Sequence, residues 1–589
     1  MQKPQDEPCT FALAQNTERD ALTGLYGHKT FRDMVDSLLN QKSPATQDNA
    51  QNTLVYFNVE NFKHYNQRYG FAAGDVLLQH LASSVTEAFP QSVCARYAAD
   101  QFAVFTHGGN VSDSVKRVRA AFRNEHKDTS IWLRAGYYAL LPGEKNAGVA
   151  CDRAKLACDE LRGRRDAFIC EYNNALQHEI LWRRYVLEHF DEALQNGWLR
   201  AYCQPIVRVA TKETCDVEVL ARWIDPVEGI MPPLEFIPVL EEARIIHKLD
   251  LAILRDVCRS CRELEDAGKP YLSMSINLSR LDFELCDIVT EVEKVLEEYG
   301  IPRSRVAIEV TESALAGNHE FLGGEIDRFR SEGFEVWMDD FGSGYSSLNV
   351  LKDYTFDLVK IDMAFMRGLE QTEQARIMLA KVIDMAKELG LKTLVEGVET
   401  RTQYNFLRSL GCGRAQGYYF GRPSPLPLSL EGVANETHPA PENLKKRDFY
   451  ESVGRVNLMR PDPHPSVDGH YLPSDVAASI VRRRNGRYEY LNINMLYEKF
   501  LADTQMGTIA DSERALNNED DPRGRSFVDA VERTEKTGEW ESYLAEVHGR
   551  PISVRVRLIS KESQFDAVAA LMIVDETYAT VGRVASVST

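Results

Sequence analysis

The alternation of apolar and polar positions divides the chain into three stretches of different rhythm. In the first, 54–59 (LVYFNV) is an apolar run of strand length, and 72–86 carries apolar residues at helical spacing. Segments 94–97 and 101–106 predict two strands around a tight turn. The second stretch repeats a strand-then-helix unit. Its candidate strands are 201–207, 217–224, 272–278, 306–310, 335–338, 358–361, 393–395 and 415–419, with helical patterns such as 373–389 between them. About eight such units in about 250 residues is the rhythm of a (β/α)8 barrel. The third stretch predicts strands at 478–482, 487–491, 540–547, 552–558 and 567–574, with a helix at 527–536, a small α+β domain. Polar 429–446, with two prolines, predicts an exposed connector. The expected organisation is a tail 1–18, an α/β domain 19–172, a barrel 173–428, the connector 429–446 and a last domain 447–589. The fold class is thus α/β and α+β multidomain.

Length and composition agree. A chain of 589 residues holds several domains at roughly 100–200 residues each. With 44% apolar and 27% charged residues, it has the material for packed cores. A net charge of −19 repels a phosphate backbone, so general nucleic-acid binding is disfavoured and none is expected. No apolar run approaches the ~20 residues of a membrane helix, so no membrane span is expected. Residues 1–16 lack a basic stretch followed by an apolar one, so no secretory signal is expected. Eleven scattered cysteines suit a reducing cytoplasm, the expected location. Cys258 and Cys261 form the sole CxxC, on a helical stretch with no second pair at zinc spacing, and are assigned a structural or incidental role.

The barrel stretch carries the chemistry. Acids or amides stand at the ends of successive apolar strands: Glu218 in EVLARW, Asn277 in SINLS, Glu309 in IEVTES, Asp339 and Asp340 in DDFGSGYSS, Lys360 and Asp362 in VKID, Glu396 and Glu399 in VEGVET. In a barrel these positions face the C-terminal mouth. Converging carboxylates raise one another's pKa unless cations compensate. Oxygen donors favour Mg2+ or Mn2+, with Ca2+ as an unproductive competitor. Adjacent aspartates suit two metals roughly 3.5–4 Å apart.

On these motifs, together with YCQPIV and QGYYFGRP, residues 174–427 resemble the EAL domain, the family of cyclic di-GMP phosphodiesterases. The signature reads EVL, and the altered middle position carries no ligand atom. The resemblance implies two Mg2+ or Mn2+ ions per site. Glu218, Asn277, Glu309 and Asp339 would hold the first, and Asp339, Asp340 and Glu396 the second. Lys360 would orient the attacking water, with Gln416 fixing the geometry. Gln204 and Arg222 would contact substrate, Glu312 would pin the DDFGSGYSS loop, and Glu399 would support the site from behind. The implied reaction opens one phosphodiester of cyclic di-GMP to linear pGpG, and the implied assembly is a homodimer. A non-catalytic cyclic di-GMP receptor is the alternative.

Residues 19–172 resemble the GGDEF domain, the diguanylate cyclase family, through DALTGLYGHKTF, FNVENFKHYNQRYGFAAGD and RYAADQF. The signature has become Ala98-Ala99-Asp100-Gln101-Phe102, and Asn58 replaces a metal-binding aspartate. Two lost glycines obstruct close backbone approach to a triphosphate. Two amides in place of carboxylates bind hard cations weakly. Phe89-Pro-Gln-Ser92 stands where a product-inhibition motif would be. Cyclase activity is not expected. Asn66 and Asp75 remain at guanine-contacting positions, so either residual GTP binding or a pure scaffold is open. The last domain resembles a PAS-type sensor through RYEYLNIN and its late strands. His464, His470 and His548 read as ordinary polar residues rather than metal or haem ligands. Arg482, Arg483 and Arg484 read as a solvated strand edge rather than an anion patch.

Overall fold

The computed structural model describes residues 18–40, 51–126, 130–315, 319–343, 347–426, 440–459, 476–518, 520–547, 550–562 and 567–575. The chain forms two compact units that divide after Tyr185. In the first, six strands are β1 (Tyr26–Gly27), β2 (Asn52–Glu60), β3 (Val93–Ala98), β4 (Gln101–His107), β5 (Trp132–Ala139) and β6 (Ile169–Glu171), in the sheet order β1-β3-β4-β2-β5-β6. The unbroken apolar run on β2 follows from burial on both faces. Val55, Phe57 and Val59 pack with Leu77, Leu81 and Val85 of helix Phe71–Ala88. Leu54 and Tyr56 pack with Ala150, Ala154 and Cys158 of helix Ala147–Asp159. The expected β3–β4 hairpin forms.

The second unit begins with the barrel. Its strands are β7 (Leu199–Arg208), β8 (Thr214–Asp225), a short β9 (Gly229–Met231), β10 (Ser273–Leu278), β11 (Val306–Thr311), β12 (Glu335–Phe341), β13 (Leu358–Ile361), β14 (Lys392–Val395), β15 (Arg414–Gln416) and β16 (Ser424–Pro425). Eight of them close a ring, since β7 pairs with both β15 and β8. β7 is antiparallel to both neighbours, whereas the other ring pairings are parallel. The cause is local. Only a few residues join β7 to β8, enough for a hairpin and too few for a crossover helix. The strand expected over 415–419 ends at Gln416 instead. The next residue, Gly417, lies against the backbone of Val398, where a Cβ would come within 2.2 Å of the carbonyl oxygen.

The same unit ends in a five-stranded antiparallel sheet of β17 (Ala477–Arg484), β18 (Arg487–Ile493), β19 (Glu541–Val547), β20 (Arg550–Glu562) and β21 (Ala567–Asp575). Its order is β18-β17-β21-β20-β19. Helices Met495–Asp503, Ile509–Leu516 and Pro522–Thr537 fall between β18 and β19 and cover one face through Tyr497, Phe500, Phe527 and Val531. The other face, with Ala478, Ile480, Leu571 and Ile573, packs on Phe449, Tyr450 and Val453 of helix Arg447–Arg455. The exposed connector expected over 429–446 is corrected where it is described. Thr214 exchanges backbone hydrogen bonds with Ala440 and Glu442, and Glu442 is buried. An ion pair to buried Arg208 offsets the cost of burying that carboxylate. Residues 427–439, the tail 1–17, His464, His470 and His548 lie outside the described residues.

Candidate metal centre at the barrel mouth

Consecutive barrel strands deliver one polar side chain each to a single point. Gln204 on β7 lies opposite Glu218 on β8, and Asn277 on β10 lies beside Glu309 on β11. Asp339 lies on β12 beside Thr311, Lys360 sits on β13, Glu396 follows β14, and Gln416 ends β15. The period of two along each strand turns all of them inward.

Lys360 is the hub. Its Nζ stands 2.7 Å from Glu309, 2.8 Å from Glu396, 3.0 Å from Asp339 and 3.2 Å from Glu218. Only 1% of Lys360 is exposed. Gln416 Nε2 donates to Glu218 Oε2 at 2.5 Å and to Gln204 Oε1 at 3.1 Å. Asn277 Nδ2 donates to Glu218 Oε1 at 3.1 Å. Asp340 adds a carboxylate at the rim, with its backbone N–H donating to Asp339 Oδ1 at 2.9 Å. Its φ of 58° is a left-handed conformation that a non-glycine residue rarely holds, a strain that clusters at functional sites.

Burial here works against every charge, and the neighbours decide the outcome. Burial drives the Glu309 carboxyl well above its usual range, and Glu218 and Asp339 add to that against the pull of Lys360. Burial lifts Glu396 to about 7 and Asp340 to about 6, each with help from Asp339. Burial also pushes Glu218 up, but Lys360, Gln416 and Asn277 outweigh it and leave its pKa lowered. Lys360 is held well above its ordinary value by the surrounding carboxylates, in spite of its own desolvation.

The donor set fits hard divalent cations. Asp339, Asp340 and Glu396 can bring one oxygen each to within 4.8 Å of one another. Glu309 Oε1 is buried with no hydrogen-bond partner, an acceptor that a cation would satisfy. Five carboxylates face one ammonium here, an excess of four negative charges with all ionised.

Other expected residues fall as follows. Glu312 accepts from the Gly342 N–H at 3.3 Å and so ties the DDFG loop, of which residues 344–346 are outside the described set. Arg222 is half-buried at the rim, its guanidinium over the Tyr202 ring. Glu399 does not join the cluster. It is exposed beside the N-terminus of helix Arg401–Ser409, because the chain turns outward at Gly397, with φ 70°. Cys258 and Cys261 are buried free thiols in helix Ile246–Asp266.

A cavity of about 730 Å³ opens beside the cluster, with Pro233, Leu234, Ile237 and Ile253 as an apolar wall. That size suits a small-molecule ligand. Glu241 and Asp250 also line it and were not anticipated. Burial and the neighbouring Asp282 hold Asp250 well above the carboxylate range. Acids inside helical patterns look like surface residues in sequence, so nothing there marked them.

In the first unit, Asn58 lies directly opposite Gln101, and Gln101 Oε1 accepts from the Tyr56 hydroxyl at 2.5 Å. Asn66 Oδ1 is buried without a partner against Gly74, and Asp75 is exposed on the following helix. In the last domain the solvated edge expected at Arg482, Arg483 and Arg484 is corrected: β17 pairs with β18 on one side and β21 on the other along these residues, and partly buried Arg482 and Arg483 pair with Glu489 and Glu535.

Residues 187–423 match the EAL domain family and residues 17–163 the diguanylate cyclase GGDEF domain family. The chain is 30% identical to "Cyclic di-GMP phosphodiesterase NbdA" of Pseudomonas aeruginosa, over 70% of this chain and 54% of that protein. It is 29% identical to "Cyclic di-GMP phosphodiesterase PdeR" of Escherichia coli, over 69% and 62% respectively. The solved structure "PaMucR Phosphodiesterase, c-di-GMP complex" is 31% identical, with a TM-score of 0.40 over 42% of this chain and 100% of that one. The chain spans about half the length of the first curated relatives it matches. Among the described residues, no helix is long and apolar enough to cross a membrane.

Proposed function

We propose that this chain, which carries a GGDEF domain followed by an EAL domain, is a metal-dependent phosphodiesterase that hydrolyses cyclic di-GMP to linear pGpG. The observation that carries this reading is the charge balance at the mouth. Five carboxylates answer one buried ammonium, and two divalent cations would cancel the excess. Glu218, Asn277, Glu309 and Asp339 would hold one Mg2+ or Mn2+, and Asp339, Asp340 and Glu396 the other. When bound, such ions neutralise the phosphodiester and supply a water acidic enough to attack it.

The chain's own residues do the rest. Lys360 fixes four carboxylates from one point and presents its ammonium to the attacking water. Gln416 holds Glu218 in place and is itself aligned by Gln204. Arg222 faces a substrate phosphate from the rim, and the apolar cavity wall accepts a purine face. The relatives named as cyclic di-GMP phosphodiesterases support this substrate.

The first domain is a disarmed cyclase, a reading supported by the paired amides Asn58 and Gln101. The last domain is PAS-like, a reading supported by its strand order of second, first, fifth, fourth, third and by helices inserted between the second and third strands. The two flanking domains serve as regulatory modules, and the assembly is a homodimer, testable by light scattering over a concentration series.

The deciding experiment incubates purified full-length protein with cyclic di-GMP and Mg2+ or Mn2+ and separates the products. Appearance of pGpG, lost in Glu218→Ala and Lys360→Ala, supports the enzyme. Binding without turnover would replace it with a receptor, and cyclic di-GMP made from GTP would overturn the disarmed cyclase.

A further inference from the structure

The barrel interior has three layers, and the lowest is built partly from the far end of the chain. The top layer is the metal centre. Below it lies an apolar layer of Ile206, Ala307, Trp337, Leu358 and Leu394. At the level of that layer and below it, Arg208, Asp216, Glu335, Lys392 and Arg414 form a charged floor. Two floor residues share a strand face with a member of the site. Asp216 is two residues from Glu218 on β8, and Arg414 is two residues from Gln416 on β15.

The floor is completed from outside the barrel. Glu442 pairs with Arg208 at 2.5 Å. Glu451, on helix Arg447–Arg455, reaches Arg414 at 2.5 Å, Arg208 at 3.1 Å and Lys392 at 3.6 Å. Arg447 reaches Asp216 at 2.9 Å and the Ser273 hydroxyl at 2.7 Å. With these three, four cations meet four carboxylates, and the floor is neutral without any metal. The contrast with the mouth is complete, since the mouth is short of cations by the same count. The opposite side of helix Arg447–Arg455 is the one packed on the five-stranded sheet.

We infer that Arg414 and Asp216 are positioning residues for the metal centre, held by Glu451 and Arg447, so that the C-terminal domain sets the geometry of the site through the floor of the barrel. The physical link is short and stiff. Two residues of strand span about 7 Å. β15 is only three residues long, fixed below by Arg414 and above by the Gln416 bonds to Glu218 and Gln204. If Glu451 is neutralised, Asp216 is the one ion-pair partner left to Arg414 among the described residues, and Arg414 is drawn toward it. That movement shifts the register of Gln416 and Asp216 together, and with them both oxygens of Glu218.

This inference rests on the reading of the mouth as a metal centre, and its test separates the two. Mn2+ affinity is measured on the full chain by electron paramagnetic resonance, with kcat and KM for cyclic di-GMP alongside. The variants are Glu451→Gln, Arg447→Met and, as a stability control, Val531→Ala, whose side chain packs on the other face of the sheet. Glu451→Gln should lower Mn2+ affinity and kcat about tenfold or more, the range seen when residues behind metal ligands are lost. KM should stay within about threefold, since no substrate contact changes. Val531→Ala should leave all three constants within about twofold for the same kind of thermal loss. Unchanged constants in a folded Glu451→Gln protein would overturn the inference, as would equal losses in Glu451→Gln and Val531→Ala. Should Glu451→Gln fail to fold, Arg447→Met is read by the same criteria. A wild type that binds Mn2+ without hydrolysing cyclic di-GMP would end the functional reading, and the Mn2+ arm would still decide this one.

Discussion

Replacing Lys360 by methionine removes one charge from the centre of the barrel and little volume. In the absence of metal, that ammonium is the only cation within 3.2 Å of Glu218, Glu309, Asp339 and Glu396 among the described residues. Breaking a buried pair by deleting one partner costs about 3–5 kcal/mol. Here the loss falls on four carboxylates, but proton uptake limits it. Glu309 already sits well above its usual range and Glu396 at about 7, and both rise further without the lysine.

The sign follows from the raised pKa. A carboxyl whose folded pKa is raised binds more protons folded than unfolded, so stability falls as pH climbs from about 4.5 through the folded value. In Lys360→Met that fall extends to higher pH. The deficit against wild type should therefore be largest at pH 7.5 and shrink by pH 5.5. For a domain of this size, the full deficit corresponds to roughly 6–20 °C in melting temperature. The assay is thermal unfolding of both proteins in excess chelator at pH 5.5, 6.5 and 7.5, repeated with saturating Mg2+, which should recover most of the loss. Equal melting of the chelated proteins at pH 7.5, or a deficit that grows on acidification, would refute the electrostatic account of the mouth.

Gln416→Ala removes the donor to Glu218 Oε2 and should weaken Mn2+ binding about 10- to 100-fold, as read by metal titration. Gly342→Ala places a Cβ within 2.2 Å of the Phe365 ring at a φ of 95°, a strain of about 1–3 kcal/mol. It should lower kcat in steady-state hydrolysis while the rest of the barrel stays folded. Glu312→Gln, which weakens the bond to the Gly342 N–H, should lower kcat in the same direction by a smaller factor. Calorimetric titration of the full chain with GTP tests residual binding through Asn66 and Asp75, and no heat at millimolar GTP would leave the first domain a scaffold.

Much of this protein was legible in one dimension because two signals are local. Apolar periodicity located the strands of the barrel to within a few residues, since each strand needs an inward face whatever its partners. The acids at strand ends announced a cation centre, since no ordinary surface places them at the end of strand after strand. The family resemblance named Glu218, Lys360 and Gln416 by the same local route.

What sequence could not supply depends on which strand lies beside which. The reversal of β7 follows from the short β7–β8 connection, yet the rhythm of the segment looked uniformly parallel. Glu399 carries the same motif as Glu396 but leaves the mouth at a turn of the backbone. The floor is the largest such case. Arg208, Asp216, Lys392, Arg414, Arg447 and Glu451 look like surface charges when read singly. With Glu335 and Glu442 they become a neutral layer only when the barrel closes and a helix from beyond the connector seats beneath it. Sequence fixes which side chains carry charge. The tertiary structure decides which charges balance within the protein and which remain for a metal, because that balance is summed over distances of a few ångströms between residues more than 200 positions apart.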